Sequence, residues 1–237
     1  RRAVAANDGS ASVKANEQLA NLGARQAWTR LQDAVKQGAQ PATVKALVEQ
    51  GRTELTEAVR VLEALVALSP TVERESLLGS TWKRLVRLEG VAASLAPSAA
   101  DTQAVERAIE RMAEHYRRAE ALALQTGQSD LFYPAMNLVA AELRARASAR
   151  RWPGVEPARI QRVRQSLERQ RREDPDFWSV VGLPELSVYE ALASHSLAQQ
   201  LPAVLASFDD MHQRAGTPWM WASVADQLGF VVAHLRG

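Results

Sequence analysis

Cysteine is absent from this chain of 237 residues. That excludes a disulfide framework, thiolate metal ligands and a cysteine nucleophile within it, and it fits a reducing, cytoplasmic setting. Glycine and proline are scarce, at 12 and 10. No stretch alternates apolar and polar residues with β-branched enrichment, so strands are not expected. No apolar run approaches the roughly 18 residues of a membrane span, and no membrane contact is expected. The opening residues, Arg1-Arg2-Ala3-Val4-Ala5-Ala6-Asn7-Asp8-Gly9-Ser10, lack an initiator Met and a signal-type apolar core. Residues 1–12 read as a disordered lead-in to a fragment of a longer protein. A phosphate-cradling glycine loop, a nucleophile elbow and a dinucleotide fingerprint are missing too. His115, His195, His212 and His234 are scattered without a metal-ligand spacing. No catalytic residue, metal ion or cofactor is expected, and the chain does not read as an enzyme.

What is present is helical periodicity from end to end. A first helix is expected near 13–37, with Ala20, Ala24, Ala27, Trp28, Leu31 and Val35 on one stripe and Gly38 as its stop. Pro41 opens a second, near 41–69. Its Val44, Val48, Gly51, Leu55, Ala58, Leu62 and Leu65 alternate steps of four and three, the spacing of a close helical seam. Because the phase survives Gly51, one long helix with a close crossing at that glycine is favoured. A third helix starts near 72 and buries Leu78, Trp82, Leu85, Leu88, Ala92 and Leu95. Asp101 or Thr102 caps a fourth that runs to about 126, with Ile109, Met112, Tyr116, Ala119 and Leu122 inward. Ser129 or Asp130 caps a fifth, with Tyr133, Met136, Ala140 and Leu143 inward. Beyond Trp152-Pro153-Gly154, the sixth (157–172) has a thin stripe of Ile160, Val163 and Leu167. The seventh, near 176–195, contains Pro184 and invites a kink; Pro202 opens the eighth, carrying Leu205, Phe208 and Met211, and Thr217-Pro218 the last.

Within this pattern three segments repeat one packing scheme. Leu78-Gly79-Ser80-Thr81-Trp82 sets a bulky residue, a small one and an aromatic three on, which lets neighbouring helices close up. Met112, Tyr116 and Ala119 supply an apolar residue, an aromatic four later and a small one beyond. Val204, Phe208 and Met211 echo that order. This resembles the tetratricopeptide repeat, whose period is about 34 residues. The segments Glu73–Leu85, Phe132-Tyr133-Pro134-Ala135-Met136-Asn137 and Asp176-Phe177-Trp178 look more narrowly like the tetratricopeptide-type TRAF-binding region. That region occurs in the apoptosis signal-regulating kinases and in multidomain bacterial proteins. The likeness covers roughly 72–235. It implies an all-α tetratricopeptide-like α-solenoid, an antiparallel helical-hairpin stack of about nine helices. A long hairpin at 13–70 would precede the repeat region at 71–237. It also implies a non-enzymatic scaffold or regulatory module attached to an effector, in a larger signalling or bacterial conflict-system protein.

The functional candidates lie on the charge and the aromatics. The chain is formally +2, yet residues 144–172 hold ten Arg against Glu156 and Glu168, a local +8 that leaves −6 for the rest. Arg159, Arg162, Arg169 and Arg172 are expected to share a face, read first as a solvated surface answered by acids of the same protein and next as a dock for an acidic partner surface, since guanidinium forks suit carboxylates. The alternative is a nucleic-acid or nucleotide-sensing surface on the same arginines. Trp28, Trp82 and Trp221 fall on apolar stripes and read as core. Trp152 and Trp219, at a loop and a helix start, read as surface anchors. Asn137, one turn after Pro134, reads as a clamp on a nearby carbonyl. The oligomeric state is open.

Overall fold

The helices start and stop where side chains can satisfy their unpaired backbone groups. The computed structural model describes residues 12–127, 131–145, 155–214 and 216–233. Among these residues there are nine helices and no strand, as the all-α reading expects. They are α1 (Val13–Lys36), α2 (Pro41–Leu68), α3 (Val72–Leu95), α4 (Ala99–Thr126), α5 (Phe132–Ala145), α6 (Pro157–Glu173), α7 (Phe177–Ala193), α8 (Leu197–Arg214) and α9 (Pro218–Val232). Ser12 caps α1 by accepting from the Ala15 N–H, and Thr71 caps α3 by accepting from that of Arg74, each at 3.1 Å. At the end of α1, Gly38 takes φ +68°. There the Ala39 N–H reaches the Ala34 carbonyl at 2.9 Å and the Gly38 N–H that of Val35 at 3.1 Å, a Schellman closure. Asp176 and Ser179 cap α7 reciprocally.

The chain divides into two units, Arg1–Leu122 and Ala123–Gly237, with the boundary inside α4. In the first unit α1 packs on both α2 and α3, and α2 on α3. The helix α2 runs unbroken through Gly51, where an added Cβ would stand 2.7 Å from Leu88 Cδ1 of α3. Gly79 does the same for α3 and α4: a Cβ there would meet the Tyr116 ring at 2.7–2.9 Å. The small residue of one repeat helix thus exists to seat the buried aromatic of the next.

Three buried ionisable pairs tie these helices together through α3. Glu17 of α1 meets Arg74 at 2.6 Å, Glu89 meets Arg52 of α2 at 2.8 Å, and Glu75 meets His115 of α4 at 2.7 Å. The three carboxylates are almost fully buried, so each needs its partner.

In the second unit α6 packs on α5 and α7, α8 on α7, and α9 on α5 and α7. Proline sits inside two of its helices, Pro184 in α7 and Pro202 in α8, and neither ends its helix. The expected start of α8 at Pro202 is therefore corrected. The helix begins at Leu197 and continues through Pro202, which cannot donate the backbone bond of its own position. Likewise α4 starts at Ala99, not at Asp101 or Thr102, because Ser98 Oγ accepts from the Asp101 N–H at 3.2 Å. Ser129 and Asp130 lie outside the described residues.

Several stripe positions are more exposed than the periodicity implies. Val35 and Leu95 lie in the last turns of α1 and α3 and stand partly in solvent, as do Leu205 and Tyr133. The stripe of α6 is also rotated: Arg159, Val163, Ser166 and Leu167 are buried, while Ile160 is half-exposed.

Candidate functional site

In the first unit α2, α3 and α4 line an open groove of about 430 Å³. Its apolar wall is Val59, Leu85, Ala104, Ala108 and the face of Trp82; its polar edge is Arg52, Thr56, Glu89, Arg107 and Arg111. Two local facts put these side chains there. Arg52 follows Gly51, so it emerges beside the tight contact that this glycine makes with Leu88 of α3. Arg107 and Arg111 stand four apart on α4 and flank Ala108 on one face.

Trp82 is half-buried, and so are Trp28 and Trp221, which corrects their assignment to the core. The reason is visible at two of them. Arg111 lies over the Trp82 ring with its guanidinium carbon 5.7 Å from the centroid, and Arg87 lies over Trp28 at 5.5 Å. A guanidinium plane covers an indole face as well as an aliphatic side chain would, while staying hydrated at its rim. The Trp82 Nε1–H is buried and has no hydrogen-bond acceptor among the described residues.

The groove's arginines differ in what they are already holding. Arg52 makes a fork to Glu89, Nε and Nη2 donating at 2.9 and 2.8 Å, and its Nη1 donates to Glu49 at 2.8 Å. The bonds to Glu89 hold its guanidinium well above the ordinary arginine value, so it stays charged. Arg111 donates to Glu63 at 2.8 Å and to Glu114 at 2.6 Å. Arg107 is exposed and meets no carboxylate among the described residues. Counting the acids that answer them, three guanidiniums stand among Glu49, Glu63, Glu89 and Glu114. Of these acids only Glu89 lines the groove; the other three brace Arg52 and Arg111 from outside it, and Arg107 is the guanidinium left without a carboxylate among the described residues.

The arginines singled out by the sequence are not one face. Arg159 is buried, its Nη1 donating to both Glu142 oxygens at 3.1 Å and its Nη2 lying 3.3 Å from Glu156. Arg162 is half-buried and lies 3.5 Å from Glu156. Arg169 and Arg172 are exposed, with Arg171 beside them. Trp219 is 60% exposed and stands 6.0 Å from Trp178, itself half-buried in a cluster with Phe177 and Trp221. Trp152 lies outside the described residues.

Of the repeat positions, Leu78, Gly79, Tyr116, Ala119, Pro134 and Asn137 are buried, whereas Tyr133 is 47% exposed. Asn137 donates its amide to the Tyr133 carbonyl at 3.0 Å. His115 is a buried structural partner of Glu75, and no group of acids and histidines among the described residues could hold a metal ion. Sequence reasoning missed the groove because Arg52, Arg107 and Arg111 are isolated in the chain; the spacing of four around Ala108 was the available signal.

No curated protein and no solved structure matches the chain. A family model described as Tetratricopeptide Repeats-Sensor matches residues 2–143. The match takes in α1–α4 and most of α5, including the Gly79–Tyr116 seat. Spanning more than half of the sequence, it shows that the chain belongs to the Tetratricopeptide Repeats-Sensor family.

Proposed function

We propose that this chain is a non-catalytic protein-interaction module, the sensing or regulatory arm of a larger signalling or bacterial conflict-system protein. Membership in a sensor family of repeat proteins supports the general role. The observation that carries it is the open groove on α2, α3 and α4, a concave surface with an apolar wall and a charged edge. The likeness of Glu73–Leu85 and Tyr133–Asn137 to the TRAF-binding region belongs to the same reading, in which an effector domain receives the signal. No helix among the described residues is long and apolar enough to cross a membrane.

The exposed Arg169 and Arg172, and separately the exposed Trp219, are further candidates for contact with an acidic protein partner. A nucleic acid is the weaker choice there. Arg159 and Arg162 are engaged with acids, and Glu173, Asp174 and Asp176 follow directly after Arg172, where a polyanion would meet them. The test is a calorimetric titration with a flanking domain or native partner, comparing wild type with R169E/R172E at matched salt. Affinity should fall several-fold; equal affinity would remove these arginines from the interface. A parallel titration with a single-stranded oligonucleotide at two salt concentrations should show no steep, salt-sensitive binding.

A further inference from the structure

We propose that the groove on α2, α3 and α4 captures a peptide segment carrying an apolar side chain next to a single acidic residue. The apolar side chain would sit against Val59, Trp82 and Leu85, and the carboxylate on Arg107. This rests on the protein-interaction reading and gives it a specific occupant. The choice follows from the charges. Nucleoside polyphosphates and nucleic acids need several unengaged donors, because each phosphate oxygen left unanswered in a partly desolvated site is costly. Here Arg52 is held by Glu49 and Glu89 and Arg111 by Glu63 and Glu114, and Glu89, which lines the groove, would face any second negative charge. Arg107 alone offers an unengaged guanidinium among the groove's arginines. One anionic group is what the groove can pair.

The apolar wall sets the other half of the specificity. At about 430 Å³ the groove is at the small end of the ligand-site range, room for one or two side chains and not for a folded element. Trp82 offers a flat apolar face there, held in place by Arg111. An aliphatic or aromatic side chain laid on it buries area that water now covers, while a lysine or a second acid would lose hydration without a partner.

The experiment uses the full 237-residue chain and an array of immobilised decapeptides. These place Leu or Phe at every spacing from one Asp, with matched sets in which Asn or Lys replaces the Asp. ATP and a single-stranded oligonucleotide serve as competitors. The wild type should prefer the apolar–Asp peptides. R107E should weaken that binding by about tenfold or more and gain the apolar–Lys set, while R117E, an equal charge change elsewhere on α4, leaves both unaltered. If the Asp peptides bind but R107E and R117E behave alike, the groove proposal falls and the interaction reading stands. If ATP or the oligonucleotide competes through Arg107, the occupant is a phosphate ligand, and both proposal and reading are overturned. If no peptide is preferred, the proposal fails.

Discussion

The two units are held together by different patterns of the same chemistry. In the first, buried polar links converge: α1, α2 and α4 each hand an ionisable partner to α3. In the second, the polar links between helices are dispersed. Glu142–Arg159 links α5 to α6, Arg164–Glu190 links α6 to α7 at 2.5 Å, and Tyr189–Gln227 links α7 to α9 at 2.8 Å. A convergent unit has a keel whose failure every helix feels. In a dispersed one each link concerns two helices, as in the nearest-neighbour energetics of repeat arrays.

The largest effect should come from breaking the keel. His115→Leu leaves the Glu75 carboxylate buried without its partner and should cost about 3–5 kcal/mol in chemical denaturation. Amide exchange should then quicken in α1 and α2 as well as in α3 and α4. Protection lost only from α3 and α4 would break the comparison. In the second unit Tyr189→Phe removes a hydroxyl bonded to Glu185 and Gln227, and should cost about 1–2 kcal/mol, with faster exchange confined to α7 and α9.

Trp82→Ala should cost about 2 kcal/mol, less than the loss of a fully buried aromatic, because Arg111 and not the core covers its face. A loss comparable to that of Tyr116→Ala would return Trp82 to the core. Gly79→Ala should cost about 1–2 kcal/mol, since a methyl group must displace the Tyr116 ring, although alanine is the better helix former. The smallest effect is a gain. His195 closes α7 with φ 57°, in the position a Schellman closure usually gives to glycine. His195→Gly should raise stability by about 0.5–1 kcal/mol.

Helix existence was legible because proline and glycine punctuate the chain: Pro41, Gly38 and Thr217-Pro218 act where their chemistry predicts. Pro202 misled, since proline marks a first turn only when nothing upstream can nucleate one. The candidate site was harder. Arg159 keeps phase with Val163 and Ser166, at steps of four and three, but a rule that counts arginine as polar places it outside. Its burial depends on Glu142, 17 residues away, and on Glu156 in its own first turn. The groove was invisible for a similar reason. Whether an arginine is engaged is a property of its neighbours in space, and Arg52, Arg107 and Arg111 look alike in a one-dimensional count.

An indole roofed by a guanidinium and bordering an open groove is also an optical element. Its emission responds to how much water and how much charge lie near the ring, and both change when a side chain is laid on Trp82. Binding in the groove should therefore move Trp82 fluorescence toward shorter wavelength without any added label. The chain has six tryptophans, so the difference between wild type and Trp82→Phe isolates that indole from the others. The groove carries its own reporter of occupancy.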